Sequence, residues 1–202
     1  MEIQLWRSIL CPYELAVREL IVKFEHIISE HRENDLYSPI EQVSGRVKSV
    51  SSILEKMQRK HIPMERMEEE VEDIAGIRII CQFEEDIETV ASLIQNRSDM
   101  TIKSEKNYLK HIKQSGYRSL HLIVKTPIFL KEGKKMITVE VQLRTIAMDF
   151  WASLEHKLRY KKNIPEEQSK YLAEEMMDCA QISSALDERM HVPAFGPCRT
   201  RC

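Results

Sequence analysis

MITVEVQL, residues 136–143, alternates without interruption: Ile137, Val139, Val141 and Leu143 fall on one face, Thr138, Glu140 and Gln142 on the other. A period of two marks a half-buried strand. Gly133, in KEGKK, signals a turn before it, so the run 119–126 is expected as its antiparallel neighbour. Upstream, GIRIICQ at 76–82 is β-branched and apolar, the composition of a central strand.

Working outward, 43–49 and 100–106 read as further strands, the first interrupted by Gly45. Residues 14–32 carry Val17, Leu20, Ile21, Phe24, Ile27 and Ile28 at helical spacing. Helices are likewise expected at 51–60 and 84–96, and helix propensity is high over 63–72. A helix over 145–159 should turn Ile146, Phe150, Trp151, Leu154 and Leu158 inward, and Pro165 opens a last one to about 190. The order is helix, strand, helices, strand, helix, three strands, helix, helix. It implies an α/β (α+β) fold, a mixed sheet of about five strands flanked by helices. One domain over 1–202 is expected: a core of about 40–160, terminal helices 14–32 and 165–190, and a loose tail 191–202.

Of the 202 residues, 43% are hydrophobic and 31% charged, a globular composition, and no apolar run approaches a bilayer span. The start of the chain lacks the basic region and small-residue cleavage site of a secretory signal. Five scattered cysteines argue against a disulfide scaffold and fit a reducing cytoplasmic setting. A net charge of -2 speaks against a long DNA or RNA surface. The basic excess is local, in 43–61 and 103–118, with an acidic block at 65–73 between them. Such blocks suit a compact anionic ligand with a metal, or three solvated faces.

Glu140 stands against strand propensity, so its face looks either into solvent or into a site. Gln142 and Arg144 continue that face, and Asp73 precedes the 76–82 strand. Two carboxylates meeting at neighbouring strands can hold Mg²⁺ on substrate phosphates. Arg46 and Lys48 share a strand face, Lys56 and Arg59 a helix face; together they could clamp a triphosphate or be ordinary surface charge. Arg78 interrupts an apolar strand and therefore calls for an anionic or stacked partner. Tyr117, beside Gly116, could stack on a base through its ring, in which case phenylalanine should replace it with little loss. The GxxxxGK[ST] and GxGxxG signatures are absent, and with five glycines side chains must do most of any phosphate binding.

SGRVKS, DIAGIRIIC, GYRSLHLIV, EVQLRT and MDFWASLEHK, in that order, resemble the synthetase domain of the RelA/SpoT family over about residues 14–190. Without hydrolase or regulatory domains the chain looks like a small alarmone synthetase, most similar to the RelP branch. The resemblance implies a nucleotidyltransferase-like fold and transfer of the β,γ-pyrophosphate of ATP to the 3′-hydroxyl of GDP or GTP. The products would be AMP and ppGpp or pppGpp, the alarmones of the stringent response. It further implies Arg46 and Arg78 around adenine, and Lys48, Ser52, Lys56 and Arg59 on the ATP phosphates. Asp73 and Glu140 would be the catalytic Mg²⁺ pair and Tyr117 the guanine-stacking ring. His121, Gln142, Arg144, Asp149, Glu155 and Lys157 would line the acceptor side. Asp149 stands where some relatives carry Asn. A homotetramer built partly from the terminal helices is also implied. Two other readings of the pattern are an RNA- or nucleotide-binding regulator without turnover, and a nucleotidyltransferase that moves a nucleoside monophosphate.

Overall fold

The computed structural model describes residues 2–159 and 166–194. Its centre is one five-stranded sheet in the order β1-β2-β5-β4-β3. The strands are β1 (Gln42–Val47), β2 (Ala75–Cys81), β3 (Thr101–Asn107), β4 (Leu120–Leu130) and β5 (Gly133–Thr145). β2 and β5 run parallel, and every other neighbouring pair is antiparallel. The expected mixed sheet is therefore the observed one, with the alternating 136–143 stretch in the middle strand. β4 and β5 form the hairpin anticipated from Gly133, and both strands are longer than their apolar runs, since backbone pairing continues to Leu130 and Gly133.

Alternation along the strands divides the sheet into two faces. Ile77, Val139, Val141, Leu122 and Val124 are buried on one of them with Leu20 and Phe24 of helix α1 (Glu2–Glu33). Burying side chains of this size stabilises by about 1.5–3 kcal/mol each. Gly45 is needed on this face: a Cβ there would lie 2.6 Å from Val17 Cγ1 and 2.8 Å from Ile77 Cδ1. Helix α1 begins twelve residues before the expected start at 14, passing through Pro12. Trp6, Ile9 and Leu10 of this added stretch pack on the core, which compensates the lost backbone hydrogen bond.

Helix α2 (Val50–Lys60) is capped by Ser49, whose hydroxyl accepts the Ser52 amide at 3.3 Å. The helix-prone 63–72 stretch divides into a 3₁₀ turn (Met64–Arg66) and the short α3 (Met67–Glu70). Helix α4 (Glu84–Gln95) follows β2. Helix α5 (Ile146–Arg159) corrects the sequence reading: Ile146, Phe150 and Leu154 are exposed, while Met148, Trp151 and Ala152 face inward. Its start is pinned by Thr145, and that register, not the widest apolar stripe, sets the buried face. Helix α6 (Glu166–Ala194) runs beyond the expected end at 190 into the segment read as a loose tail. Pro165, Cys198 and Cys202 lie outside the described residues.

Candidate active site

The face of the sheet opposite α1 is polar because three strands place charged residues in register. Ser44, Arg78, Gln142, His121 and Lys106 occupy one row across β1, β2, β5, β4 and β3. In the next row Arg46, Gly76 and Glu140 are adjacent. The missing side chain at Gly76 opens a groove of about 270 Å³ lined by Arg46, Lys48, Asp73, Arg78, Glu140 and Gln142 among others. Three consecutive strands thus bring together residues that are up to 96 positions apart in the chain.

Asp73, just before β2, accepts a hydrogen bond from Lys48 Nζ at 2.9 Å and forms an ion pair with Lys56 Nζ at 2.7 Å. Asp73 Oδ1 is buried, with the Lys56 ammonium as its partner. Burial opposes the carboxylate, but the two ammonium groups outweigh it and lower its pKa. Glu140 accepts from His121 Nδ1 at 2.9 Å through Oε1 and from Gln142 Nε2 at 2.8 Å through Oε2. Its pKa is also lowered: burial and the nearby Asp73 charge act upward, and the His121 and Gln142 contacts prevail.

From Glu140 the network continues to the 107–119 loop. Arg144 Nη2 donates to Tyr117 Oη at 2.8 Å and to Gln142 Oε1 at 2.9 Å. The Tyr117 hydroxyl is also hydrogen-bonded to His121 Nε2, again at 2.8 Å. Asp149, on the first turn of α5, accepts from Arg144 Nη1 at 2.9 Å and lies 3.2 Å from Arg78 Nη1. Arg78 therefore has the anionic partner its position called for. Burial and the Arg144 charge pull the Arg78 pKa down.

Not every expected residue joins this group. Ser52, Lys56 and Arg59 are on α2 beside the groove, not in its lining, and Arg59 is exposed on the last turn. Glu155 and Lys157 stand on α5 beyond Asp149, also outside the lining. Members of the charge blocks pair with each other, Glu72 with Lys103 and Lys106 and Asp73 with Lys48 and Lys56, while Glu68 pairs with Lys135 outside them. They are neither three separate solvated faces nor wholly available to a ligand. Sequence reasoning overlooked Tyr108 and Lys113. Tyr108 packs edge-on to Tyr117 and His121, and Lys113 Nζ sits 4.2 Å over the Tyr108 ring and 4.7 Å over that of Tyr117. The tyrosine–histidine–lysine grouping in NYLKHIKQSGYRSLH was the available signal.

Residues 45–165 match the family described as the region found in RelA / SpoT proteins. The chain belongs to the RelA/SpoT family. Within it, the chain is 45% identical over 192 residues to GTP pyrophosphokinase YjbM of Bacillus subtilis, covering 94% of this chain and 89% of that one. It superposes with a TM-score of 0.87 on the small alarmone synthetase 1 of B. subtilis bound to its product pppGpp, at 44% identity over 93% of this chain and 95% of that one. The same B. subtilis synthetase bound to AMPCPP gives 0.79 at 40% identity, covering 93% and 94%. Gly45 opens the family-matched stretch, and Arg46, Lys48, Asp73, Arg78, Glu140 and Gln142 fall inside it. In RelA/SpoT terms, this chain carries the synthetase region with helical flanks. Among the described residues no helix is long and apolar enough to cross a membrane.

The donor set suits one hard cation shared with a ligand. Among the described residues no three His, Cys, Asp or Glu side chains cluster as a complete metal cage. Asp73 and Glu140 supply two carboxylates to one groove, and Mg²⁺ commonly takes one or two carboxylates and completes its shell with phosphate and water.

Proposed function

We propose that this chain is a GTP pyrophosphokinase that moves the β,γ-pyrophosphate of ATP to the 3′-hydroxyl of GDP or GTP, forming ppGpp or pppGpp and AMP. The observation that carries this reading is the single groove in which Asp73 and Glu140 meet Arg46, Lys48 and Arg78, with the Tyr117–Arg144 pair joined to Glu140 through His121 and Gln142. A donor and an acceptor nucleotide would then meet at Glu140. The pppGpp-bound and AMPCPP-bound relatives support two nucleotide positions in this fold.

Arg46 and Arg78 would flank adenine. Lys48 and Lys56 neutralise Asp73 in the free chain; drawn to the ATP phosphates, they would release its carboxylate to the metal. Ser52 and Arg59 extend the same cationic side of α2. Mg²⁺ held by Asp73 and Glu140 would neutralise phosphate charge and align ATP. The acceptor O3′ bonds to the β-phosphorus, the bond from that phosphorus to the α,β-bridging oxygen breaks, and AMP leaves with that oxygen. Glu140 takes the O3′ proton. Its lowered pKa keeps it anionic, and it accepts the proton late, once bond formation has made the hydroxyl acidic. Tyr117 offers its ring to guanine. Asp149 serves first as counter-charge to Arg144 and Arg78, a role that a neutral Asn would fill less well. Glu155 and Lys157 complete the acceptor side farther along α5.

A cytoplasmic homotetramer accompanies this reading. Exposed Ile146, Phe150 and Leu154 on α5 and Ile182, Leu186 and Met190 on α6 form apolar rows at intervals of four, suited to contacts between subunits. The reaction is tested by incubating the chain with ATP, Mg²⁺ and GDP or GTP and separating all nucleotides. AMP and a 3′-pyrophosphorylated guanine nucleotide are expected. Release of pyrophosphate would indicate nucleoside monophosphate transfer instead, and tight, steeply salt-dependent RNA binding without turnover would indicate a regulator.

A further inference from the structure

Among the described residues helix α6 contributes nothing to the groove lining, yet its polar edge reaches the residues on either side of the Tyr117–Arg144 pair. Ser184 Oγ accepts from Arg118 Nη1, and Arg118 Nη2 donates to Glu84 at 2.7 Å. Asp187 Oδ2 accepts from Thr145 Oγ1 at 2.5 Å. The same Thr145 oxygen accepts the Met148 amide at 3.2 Å, securing the first turn of α5, which carries Asp149. Arg118 directly follows Tyr117, and Thr145 directly follows Arg144.

The other side of Tyr117 also leans on α6. Gly116 has φ +85°, and a Cβ there would lie 2.5 Å from Ala180 Cβ. Trp151 Nε1 donates to the Met176 carbonyl at 2.8 Å. The apolar part of this contact is small, with Trp151, Ala152 and Ala180 as its buried members. Apolar packing is non-directional and leaves rotation of α6 weakly specified. Ser184 and Asp187, three residues apart and hence on one helix face, supply the directional bonds that fix it.

We propose that the Ser184–Asp187 edge of α6 positions the acceptor-nucleotide site, holding the Tyr117 ring and the Arg144 guanidinium in register through Arg118 and Thr145. The proposal rests on the reading that this pair receives guanine. Ser184 and Asp187 are positioning residues and touch neither substrate.

The test compares Ser184→Ala and Asp187→Ala with Ser184→Thr and Asp187→Asn, which retain an acceptor oxygen. Calorimetric binding of GDP alone and the KM values for GDP and ATP are measured on the full chain, with folding checked by circular dichroism. Each alanine variant should weaken GDP binding and raise its KM roughly three- to tenfold, as expected for one lost hydrogen bond, and leave the KM for ATP within about twofold. The conservative variants should restore GDP binding. Parallel changes for GDP and ATP, unchanged GDP binding, or conservative variants as poor as alanine would each overturn the proposal. Should Asp187→Ala fail to fold, the two Ser184 variants decide. Wild-type GDP binding without AMP formation would defeat the proposed reaction while still allowing the binding comparison to judge the positioning role. Absence of wild-type GDP binding would defeat both.

Discussion

His121 Nδ1 lies 2.9 Å from Glu140 Oε1, while its Nε2 lies 2.8 Å from the Tyr117 hydroxyl. One imidazole thus joins the ring proposed for guanine to the carboxylate proposed as base.

Replacing His121 with alanine removes a contact that lowers the Glu140 pKa. The Glu140 pKa should rise, so the acid limb of the kcat–pH profile should move to higher pH. Loss of a hydrogen bond to a charged group, about 1.5–3 kcal/mol, should also slow turnover at neutral pH. An acid limb at the wild-type position would show that His121 does not tune Glu140.

Tyr117→Phe tests a revised expectation. The sequence alone suggested that the ring is sufficient, but the hydroxyl accepts from Arg144 and is hydrogen-bonded to His121. With a neutral bond worth about 1 kcal/mol and one to a charged group about 1.5–3 kcal/mol, Phe should raise the KM for GDP at least several-fold, and Ala should raise it further through lost stacking of about 1–3 kcal/mol. Initial rates over a GDP series decide it: a Phe variant equal to wild type would leave the hydroxyl without a role.

Asp73→Asn and Glu140→Gln should differ in their response to Mg²⁺. Asp73 is assigned only to the metal and sits between the Lys48 and Lys56 ammonium groups, so its variant should regain part of its turnover as Mg²⁺ is raised. Glu140→Gln also loses the proton acceptor and should stay inactive while still binding GDP. Full recovery of Glu140→Gln with metal would reduce its role to metal binding.

The Asp73 pKa is lowered by its lysine partners despite burial. A carboxyl with a depressed folded-state pKa contributes stability above its unfolded pKa and loses it as pH falls through the folded value. Lys56→Ala should therefore reduce the melting temperature at neutral pH, and the difference from wild type should shrink on acidification below the usual Asp range, about pH 3.9. A difference that stays constant from neutral pH to pH 3 would argue against this linkage.

Gly116→Ala should destabilise by about 1–3 kcal/mol, combining a positive φ with steric overlap on Ala180. Chemical denaturation measures it. Gly133→Ala makes the control: its φ is +120°, but a Cβ there meets nothing within 4 Å, so its loss should be smaller.

The sequence by itself determined the strand cores, the mixed five-stranded sheet and the residues from which a site could be built. Those features follow from local periodicity, as at Ile137, Val139, Val141 and Leu143, and from ordered motifs that share a family. Tertiary structure decided what a one-dimensional pattern does not encode. The parallel β2–β5 pairing sets Gly76 beside Glu140, and the β4–β5 register sets His121 beside Gln142. The early start of α1 was hidden because Pro12 disfavours helix locally, whereas Trp6, Ile9 and Leu10 gain their stabilisation only from a core made elsewhere in the chain. The outward turn of Ile146, Phe150 and Leu154 was hidden for a related reason. Periodicity shows that a helix has an apolar stripe, but the Thr145–Asp187 bond and the seat of Trp151 against α6 choose which face is buried.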